Sequence, residues 1–144
     1  MNERAAHRGI VYITEADLDR LRTLIAVMRN AGYDQVREDL DRLEEELDRA
    51  EIVTPQSIPP NVITIRSRVR LRDVVSGQDM VYSLAFPNEA DLNQGKISVL
   101  APIGTAMLGY QVGEIIEWDV PAGLNRFTVE EILYQPEGAG DYHL

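Results

Sequence analysis

Apolar residues recur along the chain with two different periods, and the change from one period to the other divides it. Leu18, Leu21, Ile25 and Met28 are spaced three, four and three apart, which puts them on one stripe of a helix, with Leu24 widening it. Thr14 followed by Asp17 three residues later resembles a capping box. The pattern therefore predicts a helix from Thr14 to about Arg29. Asn30-Ala31-Gly32-Tyr33-Asp34 breaks it, because Gly32 tolerates positive φ after a helix end and Asp34 can cap a new helix beginning just beyond it. A second stripe, Val36, Leu40, Leu43, Leu47 and Ala50, then repeats at four, three, four and three, the a/d seam of a short coiled coil, with charged residues on the other faces. Two such stripes joined by a short loop predict an antiparallel helical hairpin over residues 10–53, with arms about 25 Å long. Residues 1–9 are polar, without periodicity, and read as a flexible tail.

Thr54-Pro55-Gln56-Ser57-Ile58-Pro59-Pro60 ends the helical pattern, since its prolines remove donors and force extended backbone. Residues 54–60 are expected to be a linker. The period then becomes two: Asn61 to Arg72 alternates and is rich in β-branched residues, Ser76-Gly77-Gln78-Asp79 reads as a turn, and Met80 to Phe86 completes a hairpin. Further strands are predicted at Lys96 to Leu100, Ile115 to Val120 and Asn125 to Tyr134, with Pro121-Ala122-Gly123 turning between the last two. One short helix fits Pro102 to Gly109, proline first and glycine just past its end. The fold class is α+β: a helical hairpin, then a second domain over residues 61–144 made of a small antiparallel sheet with one helix.

The composition narrows the function. There is no cysteine, so disulfides, thiolate zinc sites and thiol nucleophiles are excluded. Apolar runs fall far below the ~20 residues a bilayer requires, and a cytoplasmic chain without membrane contact is expected. The net charge of −10 argues against general or sequence-specific DNA binding, which draws on Lys and Arg. That charge is uneven. Residues 61–72 carry four Arg and no acid, whereas residues 73–144 carry 11 acids and 2 bases.

Little in the sequence points to catalysis, and no catalytic residue, metal or cofactor is assigned. The two histidines, His7 and His143, lie at opposite ends. Gly95-Lys96 lacks both the Ser or Thr and the first Gly of a phosphate-binding loop. Asp34, Glu38 and Asp39 at the hairpin tip could hold magnesium in a partner's active site, but acids in a helix's first turn are better explained by the macrodipole. Arg66, Arg68, Arg70 and Arg72 have period two, so an unbroken strand would place all four on one face. Such a stripe is either a solvated face neutralised by neighbouring acids or a contact surface for an acidic protein or nucleic acid. Trp118, with Ile116 and Val120 at alternate positions, is expected in the core.

Asn93 to Glu114 contains a strand ending Ile97-Ser98-Val99, a proline turn, a short helix ending Leu108-Gly109, and Val112-Gly113-Glu114. This resembles the C-terminal signature of the Gre family of transcription factors. Asn61 to Val69, Ala101-Pro102 and Tyr134 to Tyr142 are similar to the branch of that family named for regulating nucleoside diphosphate kinase. The resemblance spans residues 10–144. It implies an FKBP-like C-terminal domain without implied isomerase activity, docked on RNA polymerase near its secondary channel, with the hairpin directed toward that channel. Ser98, Leu100, Ala101 and Pro102 match the docking turn, with Leu-Ala in place of the family's polar pair before Pro102. The tip, Gly32, Tyr33, Asp34 and Glu38, departs from the Asp-Phe-x-x-Glu pattern that delivers catalytic magnesium from a hairpin about twice as long. The resemblance thus implies a regulator, not an enzyme, that competes with Gre factors without cleaving transcripts; a monomer is expected. Direct action on nucleoside diphosphate kinase through the acidic hairpin is the alternative.

Overall fold

The computed structural model describes residues 11–32, 36–120 and 123–141; side chains at 118–120, 123 and 124 are outside the description. The chain begins with a two-residue strand, β1 (Tyr12–Ile13), and passes directly into α1 (Glu15–Asn30). Thr14 caps α1 as its spacing predicts: its Oγ1 accepts from the Asp17 N–H at 3.2 Å. Gly32 comes next with φ 78°. α2 (Arg37–Asp48) begins with Val36 at its N-cap and no side-chain cap; Asp34, expected to cap it, lies outside the described residues. Leu18, Leu21 and Ile25 on α1 face Leu40, Leu43 and Leu47 on α2, all at least nine-tenths buried. Across the solvent side, Arg22 pairs with Asp48 at 3.3 Å, and Arg29 with Asp41 at 2.8 Å and Glu44 at 2.9 Å.

The chain leaves the hairpin through β2 (Glu51–Ile52), which runs parallel to β1. The Glu51 N–H donates to the Val11 carbonyl at 2.8 Å and the Val53 N–H to that of Ile13 at 2.9 Å. The proline segment forms one 3-10 turn, Pro55–Ser57. Gln135 fastens the stretch after it, donating from Nε2 to the carbonyls of Pro59 at 2.9 Å and Val62 at 2.7 Å.

A five-stranded sheet completes the chain: β3 (Arg68–Asp73), β4 (Asp79–Ala85), β5 (Lys96–Ser98), β6 (Ile115–Val120) and β7 (Gly123–Tyr134), in the order β5-β4-β3-β7-β6. The sheet is mixed, because β5 runs parallel to β4. Between those two strands the chain passes through 3-10 turns at Pro87–Glu89 and Leu92–Gln94, long enough to return to the starting end of the sheet. α3 (Pro102–Met107) packs over β5 and β6 and also touches α2. Val69, Leu71, Leu84, Ile116 and Val129 on the sheet's inner face, Met107 on α3 and the hairpin stripe belong to one buried cluster.

The strand expected from Asn61 starts only at Arg68. Val62 forms a bridge with Gln111, and Ile63 exchanges hydrogen bonds with Gly109 and Tyr110. Residues 64–67 then make a tight turn, in which the Ser67 N–H donates to the Thr64 carbonyl at 3.0 Å. Arg66, third in that turn, has φ 72°. Backbone in that region cannot continue a strand.

Candidate functional site

Three regions carry the residues singled out by sequence: the turn before α3, the hairpin tip, and the arginine stripe.

The turn before α3 is tightly pinned. Ser98 ends β5, and its Oγ accepts from the Leu100 N–H at 3.0 Å, while its carbonyl accepts from the Ala101 N–H at 3.0 Å. The Thr105 N–H donates to the Ala101 carbonyl at 2.9 Å, so the turn runs directly into the helix. Gly104 sits against this turn so closely that a Cβ there would lie 2.0 Å from the Ser98 carbonyl oxygen. Pro102 is exposed and occupies the first turn of α3, where its missing N–H costs nothing. Ser98 and Ala101 are half-buried. Leu100 is 6% exposed and belongs to the core, so of the four positions it offers the least side-chain surface.

At the tip, Gly32 and Glu38 are exposed; Tyr33 and Asp34 lie outside the described residues. No group of three or more His, Cys, Asp or Glu is arranged to hold a metal ion among the described residues. His7, His143 and the Trp118 side chain are likewise outside the description, although the Trp118 backbone sits in β6 opposite Asn125.

The stripe is shorter than its sequence spacing suggests. Arg68, Arg70 and Arg72 share the outer face of β3, alternating with buried Val69 and Leu71, but the left-handed turn removes Arg66 from the row. Neighbouring strands neutralise part of it. Arg70 meets Glu131 on β7 at 3.2 Å, and Arg72 meets Asp79 on β4 at 2.9 Å and Glu130 at 4.0 Å. The Arg72 guanidinium holds the Asp79 carboxyl below its usual range. Arg66 points elsewhere, donating to Glu89 at 2.8 Å, with its guanidinium carbon 5.1 Å from the centre of the Phe86 ring. That bond lowers the Glu89 carboxyl as well.

A polar cluster at the hairpin's foot was not anticipated. Asp17, 5% exposed in the first turn of α1, has its carboxyl pushed up to about 6, first by burial and then by Glu137; Arg20, Arg66 and the Thr14 hydroxyl oppose the rise. Glu137 accepts from the Thr64 hydroxyl at 2.7 Å. The Tyr134 hydroxyl donates to Asp141, and that bond, more than burial, raises it to about 12. No local pattern marks this cluster, because its members come from three distant segments.

The order of elements and the turn before α3 find matches among known proteins. A family model described as transcription elongation factor GreA/GreB, C-terminal, matches residues 58–134, and one described as Rnk N-terminus matches residues 11–53. The regulator of nucleoside diphosphate kinase from Escherichia coli is 37% identical over 138 residues, covering 95% of this chain and 98% of that protein. The transcription elongation factor GreA of Christiangramia forsetii is 34% identical over 110 residues, 72% of this chain and 70% of that protein. Among solved structures, the GreA/GreB elongation factor from Nitrosomonas europaea superimposes with a TM-score of 0.73 at 38% identity, covering 86% of this chain and 99% of that one. With its second half matched by the elongation-factor model and its hairpin by the Rnk model, the chain belongs to the GreA/GreB family, in its Rnk branch.

Proposed function

We propose that the protein is a non-catalytic regulator that docks on RNA polymerase through the turn at residues 98–102. It aims its hairpin at the secondary channel, and it modulates elongation in competition with Gre factors. The observation that carries this reading is Pro102, exposed at the head of α3 on a turn whose backbone is fixed on both sides. A preorganised turn loses little freedom on binding. The arm supports the non-cleaving half of the proposal. The 16 residues of α1 span about 24 Å and the 12 of α2 about 18 Å, and the tip sequence Tyr33-Asp34-Gln35-Val36-Arg37 departs from the Asp-Phe-x-x-Glu pattern of the cleaving members.

Pull-down of core polymerase by the full chain tests the docking. Binding should be displaced by a Gre factor and weakened about tenfold or more by Pro102→Arg; no binding at about micromolar concentration removes the proposal. Trimming of the RNA 3′ end in a backtracked complex would overturn the non-cleaving half alone.

The name of the Escherichia coli relative favours a second reading, direct regulation of nucleoside diphosphate kinase. It predicts a binary complex with the purified kinase in the absence of polymerase.

A further inference from the structure

Arg66 occupies backbone that ordinarily belongs to Gly or Asn. Among the described residues it is the one non-glycine with positive φ, a conformation that is unfavourable for any side chain with a Cβ. Strain of this kind persists where the surroundings over-determine it, and it concentrates at binding sites. Here the surroundings do so: the Arg66 N–H donates to the Leu84 carbonyl at 2.6 Å, and the guanidinium is held between the Phe86 ring and Glu89.

The guanidinium reaches two open cavities. One, of about 440 Å³, lies between α1 and the Pro87–Glu89 turn, with Arg20 on its wall. The other, of about 390 Å³, lies beside β4 and β5, with Ser83, Lys96 and Tyr134 on its wall. Arg66 and Glu89 line both. Each volume falls in the range typical of small-ligand sites. Three cations therefore border a divided groove, and the anion at its centre is the protein's own Glu89. Lys96 is exposed and, after Arg66, also helps lower the Glu89 carboxyl.

We propose that Arg66 centres a binding site for an oligophosphate group, whether the phosphate chain of a nucleotide or free polyphosphate, which displaces Glu89 and is flanked by Arg20 and Lys96. Glu89 selects the ligand class. A ligand carboxylate would exchange like for like with one already tethered at high effective concentration, and would lose. A phosphate chain carries several charges, fits the guanidinium fork bidentately, and reaches a second cation in either cavity. Releasing Glu89 costs little, because it sits on a short surface turn and its pair with Arg66 is partly exposed. Besides Glu89, Asp17 stands 3.5 Å from Arg20 and acts on Arg66, so a phosphate chain competes with both carboxylates; those charges of the net −10 that lie more than about 8 Å away are largely screened at physiological salt. The site goes beyond polymerase docking and is independent of it.

Calorimetric titration of the full chain with pyrophosphate, tripolyphosphate, ATP and poly-glutamate, without metal and at about 0.15 M salt, tests the proposal. Saturable binding of tripolyphosphate and ATP is expected, with a Kd of about 100 µM. Arg66→Asn, which suits the left-handed backbone and so preserves the fold, should weaken it by about tenfold or more. Glu89→Gln, which removes the internal competitor, should tighten it by about threefold or more, a gain that a purely structural ion pair would not give. Equal affinity for tripolyphosphate and ATP identifies the phosphate chain as the whole ligand, and tighter ATP binding adds a nucleoside subsite; both support the site. It is overturned by no saturation at about 5 mM, by an unchanged affinity in Arg66→Asn, by weakened binding in Glu89→Gln, or by poly-glutamate binding as tightly as tripolyphosphate.

Discussion

Asp17→Asn is expected to stabilise the protein at neutral pH and to do nothing of the kind in mild acid. The Asp17 carboxyl lies almost fully buried at the foot of the hairpin, and its surroundings lift it from an ordinary 3.8 to about 6. Burial is the largest cause and Glu137 the next. A step of that size corresponds to about 3 kcal/mol of preference for the protonated form. The sign comes from proton counting: the folded chain holds this proton more tightly than the unfolded chain, so Asp17 lowers stability as pH rises from about 4 to 6, and the loss is complete above that window. Asparagine has nearly the same shape and no charge, so the loss disappears. Attraction to Arg20, at 3.5 Å, and to Arg66 is already inside that net shift, so the variant gives up only about 0.5–1 kcal/mol from the helix N-terminus against it. The net gain at pH 7.5 is therefore about 2 kcal/mol, shrinking toward zero near pH 4. Urea denaturation of both proteins across that range measures it, provided their m-values agree. Taking the difference between them cancels the other acids that titrate in the same window. A variant less stable than the parent at neutral pH, or a difference that does not change with pH, would refute the reasoning.

Gly104→Ala should cost about 2 kcal/mol or more: the new methyl would lie 2.0 Å from the Ser98 carbonyl oxygen, and that clash outweighs the gain in helix propensity of about 1 kcal/mol. Urea denaturation gives the stability, and the polymerase pull-down proposed above should weaken in parallel because α3 must lift off the turn at residues 98–102. Gln135→Ala leaves the carbonyls of Pro59 and Val62 without their donor, a loss of about 2–4 kcal/mol. It should appear in the same assay and as faster proteolytic nicking within residues 54–60.

The helical hairpin was legible because its information is local: a stripe at helical spacing, a capping threonine and a glycine break suffice to draw α1 and α2. β6 and β7 were legible for a similar reason, strand-like runs on both sides of the turn signal Pro121-Ala122-Gly123. The segment from Asn61 to Ser67 has equally good β-branched composition, but the partner that claims Val62 and Ile63 is the chain at 109–111, nearly fifty residues away. Arg66 carries no signature of a left-handed turn, so a stripe of four arginines was drawn where three stand. The parallel direction of β5 was likewise invisible, since strand composition says nothing about direction. At the turn before α3, the resemblance singled out Ser98, Leu100, Ala101 and Pro102. It could not say which way each side chain points, and Leu100 points inward because the Ser98 hydroxyl fixes the backbone just before it. The cluster of Asp17, Thr64 and Glu137 exists only after folding.

The brief parallel pairing of β1 with β2 closes the hairpin at its foot, so that the chain enters and leaves the arm at one clasp. Everything between Ile13 and Glu51 is thereby a graftable cassette. Equal numbers of turns could be added to or removed from the two helices and the clasp would still close on the same body. Reach can thus diverge among descendants of one ancestor while the sheet-bearing half stays unaltered, and an engineer wishing to lengthen this arm has a natural pair of splice points.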